Sequence, residues 1–213
     1  MKLKQIPKKI NESLIKIAVY LAYKDWDKLE SELQIYLKQN YERYFIDEVF
    51  ITSYLFLGFP AMISAFEILQ RIDQNKKQSY KINKKNDYNL WEKRGLKLFK
   101  KIYADKSDML LLKVKRMHPE VAKWMLTEGY GKVLSRSFLP IKNREFIIIT
   151  FLIVSFYPKQ LHSHLKGALN IGATINDIDQ IFSLIKKIDF KMDIEKALQI
   201  WHSIKNQTKN ANL

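Results

Sequence analysis

The chain has 213 residues, 47% of them apolar, and carries 37 Lys and Arg against 22 Asp and Glu, a formal charge of +15. That length and composition fit one globular domain, or a domain of two similar halves, and not a disordered chain. Cysteine is absent, which excludes a disulfide framework, a thiolate metal site, an iron–sulfur cluster and any cysteine nucleophile.

The basic excess invites a polyanionic partner, either nucleic acid or an acidic membrane surface. The cations are 31 Lys and 6 Arg. They are scattered, and the guanidinium forks that read bases and phosphates are scarce. A nucleic-acid partner is therefore not the favoured reading, and no membrane partner is expected. The N-terminal Met1-Lys-Leu-Lys-Gln-Ile-Pro-Lys-Lys lacks an apolar core and a small-residue cleavage site. The longest apolar stretch, residues 146–157, is too short to span a bilayer. The expectation is a cytoplasmic protein.

With only 6 Gly and 5 Pro, the pattern predicts an all-α fold. Residues 9–70 read as a first unit of four helices. The third and fourth meet at Leu57-Gly-Phe-Pro-Ala61, where Gly58 ends one helix and Pro60 opens the next. Residues 71–88 are a polar connector. Residues 89–137 read as extra helices over 90–103, near 109–114 and over 119–128, the last broken by Gly129-Tyr-Gly131. Asn143 is placed to cap a helix running to about Phe156. Pro158 opens the next helix, and Gly172 stops it. Thr174-x-x-Asp177 starts a third helix, to about Lys187, as a capping box. A fourth runs over 191–204, with Ile194, Leu198 and Trp201 on one face, and 205–213 is a frayed tail. The second unit with its preceding helices thus spans 89–204.

The halves match without a gap at an offset of 132 residues. Asn11-Glu-Ser-Leu-Ile-Lys-Ile aligns with Asn143-Arg-Glu-Phe-Ile-Ile-Ile, Leu29-Glu-Ser-Glu-Leu33 with Leu161-His-Ser-His-Leu165, and Ile46-Asp-Glu-Val-Phe50 with Ile178-Asp-Gln-Ile-Phe182. An internal duplication of a four-helix unit is expected.

Phosphate-loop, zinc-protease and serine-elbow motifs are absent. Gly129-Tyr-Gly131-Lys132 lacks the spacing of a phosphate loop and reads better as a helix break. His162 and His164, two apart on a helix, point about 200° from each other, so they cannot share a metal. No metal site is expected. His164 has Gly167 and Ala168 on its own face, leaving space beside the imidazole for a substrate or for a crossing helix. Glu145 is either a carboxylate favourable at a helix N-terminus or a general acid/base partner of His164. In a hairpin turning near Tyr157 the two differ in height by about 7 Å. Arg136 and Arg144 flank this region and suit either a carboxylate substrate or a structural ion pair.

The stretch Gly129-Tyr-Gly-Lys-Val-Leu-Ser-Arg-Ser-Phe-Leu-Pro-Ile-Lys-Asn-Arg-Glu145, followed by Gln160-Leu-His-Ser-His-Leu-Lys-Gly-Ala-Leu-Asn-Ile-Gly-Ala-Thr174, resembles the carboxymuconolactone decarboxylase family of the alkyl hydroperoxidase D-like superfamily. Phe59-Pro60-Ala61 with Ala65 resembles the segment that closes such units. The resemblance covers residues 9–70 and 90–204. It implies an alkyl hydroperoxidase D-like helical bundle and a homo-oligomer. Peroxidase members need a Cys-x-x-Cys, where this chain has Tyr157 and Gln160, so thiol peroxidase activity is not expected.

The resemblance further assigns proton transfer to Glu145 and His164, without a cofactor, on a small carboxylate or lactone. Arg136 would hold an anion, and Arg144, His162, Gln160 and Tyr157 would line the pocket. The first unit has Ser13 and Glu32 at the positions of the dyad and looks catalytically empty. The second has Phe190-Lys-Met-Asp193 in place of the closing segment. Two rivals stand beside this expectation: a non-catalytic ligand-binding or oligomeric member, and a basic nucleic-acid-binding protein.

Overall fold

The computed structural model describes residues 12–39, 42–74, 87–188 and 194–210. Among the described residues the chain is helical, with no strand. The helices are α1 (Glu12–Tyr23), α2 (Trp26–Lys38), α3 (Tyr44–Ile72), α4 (Tyr88–Tyr103), α5 (Ser107–Met117), α6 (Pro119–Trp124), α7 (Ile141–Val154), α8 (Pro158–Asn170), α9 (Ile175–Lys186) and α10 (Glu195–Asn210). A short 3₁₀ turn joins α4 to α5, and α6 runs on into a wide π-helix over Met125–Leu134.

Local chemistry sets most starts. Asp25 and Asp87 accept the backbone N–H of Lys28 and Leu90 and so cap α2 and α4. Pro119 and Pro158 occupy first-turn positions that need no N–H partner. Thr174 and Asp177 form the expected reciprocal capping box. Asn143 caps nothing: α7 already begins at Ile141, behind Pro140. Gly58 is non-helical at φ 82°, ψ 169°, and kinks α3 where the sequence placed a break.

α7 is the axis of the molecule. Every residue from Arg144 to Ile153 is buried, as suits a helix that is apolar on all sides. α1 lies against it, and α3, α8 and α9 also pack on it. α3 is the one described helix long and apolar enough to cross a membrane by length and composition. Its first turns carry buried Asp47 and Glu48, and it is kinked at Gly58.

Shifted by 132 residues, α2 falls on the limits of α8, while α1 overlaps α7 and the two arms of α3 overlap α9 and α10. Buried Leu29, Glu32, Leu33 and Tyr36 of α2 stand at the positions of buried Leu161, His164, Leu165 and Ala168 of α8. The α1–α2 and α7–α8 corners each turn on a left-handed residue, Lys24 at φ 61° and Phe156 at φ 47°. The following amides bond equivalent carbonyls, Asp25 to Tyr20 and Tyr157 to Leu152.

Two sequence expectations are corrected here. Gly129-Tyr-Gly131 does not break a helix, because the wide helix carries it through to Leu134. The glycines serve packing instead. A Cβ on Gly131 would sit 2.0 Å from the Trp91 carbonyl oxygen, and one on Gly95 would sit 1.8 Å from that of Leu126. α4 and the wide helix therefore meet backbone to backbone. The tail from 205 is also not frayed throughout, since α10 continues to Asn210, with Thr208 bonding the Ile204 carbonyl. Residues 75–86 of the polar connector and Phe190–Asp193 lie outside the described residues.

Candidate functional site

The expected height mismatch between Glu145 and His164 is absorbed completely. Nδ1 of His164, on α8, lies 2.8 Å from Oε2 of Glu145, on α7. Glu145 is fully buried and His164 only 5% exposed. The close α7–α8 hairpin brings them together, and Gly167 lets the wall come in. A Cβ on Gly167 would meet Ile102 Cγ2 at 2.6 Å and Glu145 Oε2 at 3.9 Å. The second carboxylate oxygen, Oε1, is buried and has no hydrogen-bond partner. With Nδ1 turned to Glu145, the imidazole's Nε2 is left for other chemistry.

Two tyrosines complete the surroundings. Tyr103 ends α4 and Tyr130 lies in the wide helix, with hydroxyls 2.6 Å apart. Tyr103 presents its ring edge to His164 at 6.4 Å between centroids, and half-buried Phe56 does so at 5.7 Å. Burial, foremost, pushes the Tyr103 hydroxyl well above its ordinary pKa; the bond to Tyr130 pulls it back in part, and the Glu145 charge pushes again. Tyr130 is raised by burial, then by Tyr103 and by Glu145. Both phenols thus stay protonated. Two hydroxyls sharing one hydrogen bond leave one proton free to donate.

Tyr103, Tyr130 and Phe56 were missed in the sequence. Gly129-Tyr-Gly131 did stand out, but as a break and not as a tyrosine beside a close-packing glycine, Gly131.

The arginines take the structural option. Glu48 on α3 receives Arg136 Nε and Nη2 at 2.8 Å and Arg144 Nη2 at 2.8 Å. Arg144 also donates to Thr52 Oγ1 at 2.8 Å and to the Arg136 carbonyl at 3.1 Å. Its guanidinium is wholly buried. Burial lowers its pKa, and the charge and hydrogen bond of Glu48 oppose that. The cluster pins the first turn of α7 to α3, and so fixes the backbone that carries Glu145.

The other expected pocket residues lie away from the dyad. His162 is exposed, on the face of α8 opposite His164, and burial followed by the Lys166 charge lowers its pKa. Tyr157 is 52% exposed, and Gln160 is exposed too. His162 lines a cleft of about 570 Å³ with Lys113, Lys159 and Lys196. In the first unit, Glu32 occupies the His164 position. It is buried, with Lys16 Nζ at 3.9 Å and Oε1 unpartnered. Among the described residues no group of three or more His, Asp and Glu is arranged to hold a metal.

No family model matches the chain. Over 111 residues the chain is 33% identical to Peroxisomal protein 2 of Schizosaccharomyces pombe, a similarity covering 48% of this chain and 52% of that protein. The chain thus spans about half the length of the curated relative it matches. The name of that relative gives a location and no chemistry.

Proposed function

We propose that Glu145 and His164 form a cofactor-free acid/base site acting on a small carboxylate or lactone, as in the carboxymuconolactone decarboxylase family that the sequence resembles. The observation that carries this reading is the buried 2.8 Å contact between Nδ1 and Oε2, made by residues nineteen apart on adjacent helices. Glu145 accepts from Nδ1–H and steadies a positive imidazole. Nε2–H then donates a proton to the carbanion left when a carboxylate departs as CO₂. The Tyr103–Tyr130 pair offers a second neutral donor. Arg136 and Arg144, committed to Glu48, act by positioning α7 and not by holding substrate.

The proposal includes a duplicated ancestry, supported by the overlapping helices, the corners and the buried positions, and a homo-oligomer. It keeps the cytoplasmic location expected from the sequence; the partial peroxisomal relative offers the other setting, and cell fractionation separates the two.

The test is CO₂ release from a panel of carboxylated lactones and β-oxo acids. His164→Gln and Glu145→Gln should each cut turnover by about 10²–10⁴-fold with the helical circular dichroism unchanged. Turnover indifferent to both substitutions sinks the reading. A second reading, a non-catalytic member, is favoured by how closely Phe56 and Tyr103 cover the 5%-exposed His164. It predicts no turnover and no imidazole chemical-shift change with any ligand of the panel.

A further inference from the structure

α5 and α6 display large apolar side chains to solvent in one run. Met109 is 64% exposed, Leu112 48%, Met117 69%, Val121 43% and Trp124 53%. On α5, Met109, Leu112, Lys113 and Arg116 follow helical spacing along one face. With Met117 they line a shallow groove of about 430 Å³. Lys113 also lines the 570 Å³ cleft with Lys159, His162 and Lys196, so the two depressions adjoin. No acidic side chain lines either one. Lys113, Arg116, Lys159 and Lys196 make no ion pair among the described residues, whereas other cations of this region do, as in Lys100–Asp108 and Lys106–Asp105. The surface is an apolar shelf beside an uncompensated cationic cleft.

Charge chooses the occupant. A second copy would bring the same cations, and +15 overall, against this face. A nucleic acid would meet the lysines but leave the Met, Leu and Trp side chains without a partner, and Arg116 is the one guanidinium lining either depression. An anionic lipid surface satisfies both halves. Phosphates and carboxylates meet the lysines, while Met, Leu and Trp enter the boundary between headgroups and acyl chains. We propose that the α5–α6 face and its lysine cleft dock the protein on an anionic lipid bilayer. This reverses the sequence expectation of no membrane partner and does not depend on the chemistry of Glu145 and His164.

The experiment is flotation of the full chain with vesicles of phosphatidylcholine alone, or with about a third phosphatidylserine. Partition should favour the anionic vesicles at least about tenfold and weaken with added salt. Brominated acyl chains should quench tryptophan emission, and Trp124→Phe should remove that quenching. A Met109→Ser, Met117→Ser, Trp124→Ser variant and a Lys113→Glu, Lys159→Glu, Lys196→Glu variant should each lose roughly tenfold in partition. All six side chains are exposed, so thermal unfolding should not move. Absence of binding, equal binding to neutral vesicles, or wild-type binding by the apolar variant overturns the proposal. So does an oligomer that the apolar variant converts to monomer without vesicle binding. Salt-sensitive binding of a DNA duplex that needs the lysines but not Met and Trp, again without vesicle binding, overturns it too.

Discussion

Arg144 takes a full charge to a place with no solvent contact, which is tolerable only because Glu48, Thr52 and the Arg136 carbonyl surround it. Arg144→Met should cost about 3–5 kcal/mol, since it strips a buried partner from Glu48; urea unfolding measures it. If the loss is below about 1 kcal/mol, the anchoring role fails. Replacing Arg144 and Glu48 together by apolar residues should recover much of the loss. The tyrosines give a pH signature. Their folded pKa values lie above the ordinary 10.0, so folded phenols keep protons that unfolded ones shed. Their contribution is complete below about pH 10 and is lost as pH rises beyond it. A Tyr103→Phe, Tyr130→Phe variant should therefore show a flatter fall of the thermal midpoint between about pH 9 and 12. An unchanged alkaline slope would sink that account. Glu145 and His164 were singled out in the sequence by the family resemblance; helical rise alone left them about 7 Å apart in height. The destination of the two arginines was not legible there. Glu48 lies 96 residues from Arg144, and neither spacing nor residue type says which of two carboxylate classes, substrate or protein, a guanidinium will meet.

Helix boundaries were largely readable where a side chain or ring closes the backbone account locally, as at Pro158 and in the Thr174–Asp177 box. They failed where a tertiary contact decides. Glycines at 129 and 131 look like punctuation in one dimension, yet the wide helix passes through both, and at 131 α4 needs the missing side chain. Gly131→Ala should destabilise by about 3 kcal/mol, given a Cβ 2.0 Å from a carbonyl oxygen. Because that crossing also holds Tyr130 against Tyr103, any acid/base activity should fall with it. Full stability in the alanine variant, measured by thermal unfolding, would refute the close crossing. Gly172→Ala is a useful contrast. No atom would meet its Cβ within 4 Å, and only its φ of 94° is at stake.

At the scale of the molecule, α4 to α6 and the wide helix lie in the chain between α3 and α7. Ile102 and Tyr103 of α4 stand beside the α7–α8 dyad, with Tyr130 of the wide helix bonded to Tyr103, while α2 carries buried Glu32. The all-helical class followed from composition and period. The pairing of α1 with α7 has a further consequence, for synthesis on the ribosome. The buried side chains of α1 are shared among α2, α3, α7 and α9, and the face that meets α7 is finished about 130 residues before that helix. At about 5–20 residues per second, that face waits roughly 7–26 s for its partner. Until then the nascent chain carries an unmatched apolar face on α1, and a stall before α7 should make it a client of holdase chaperones.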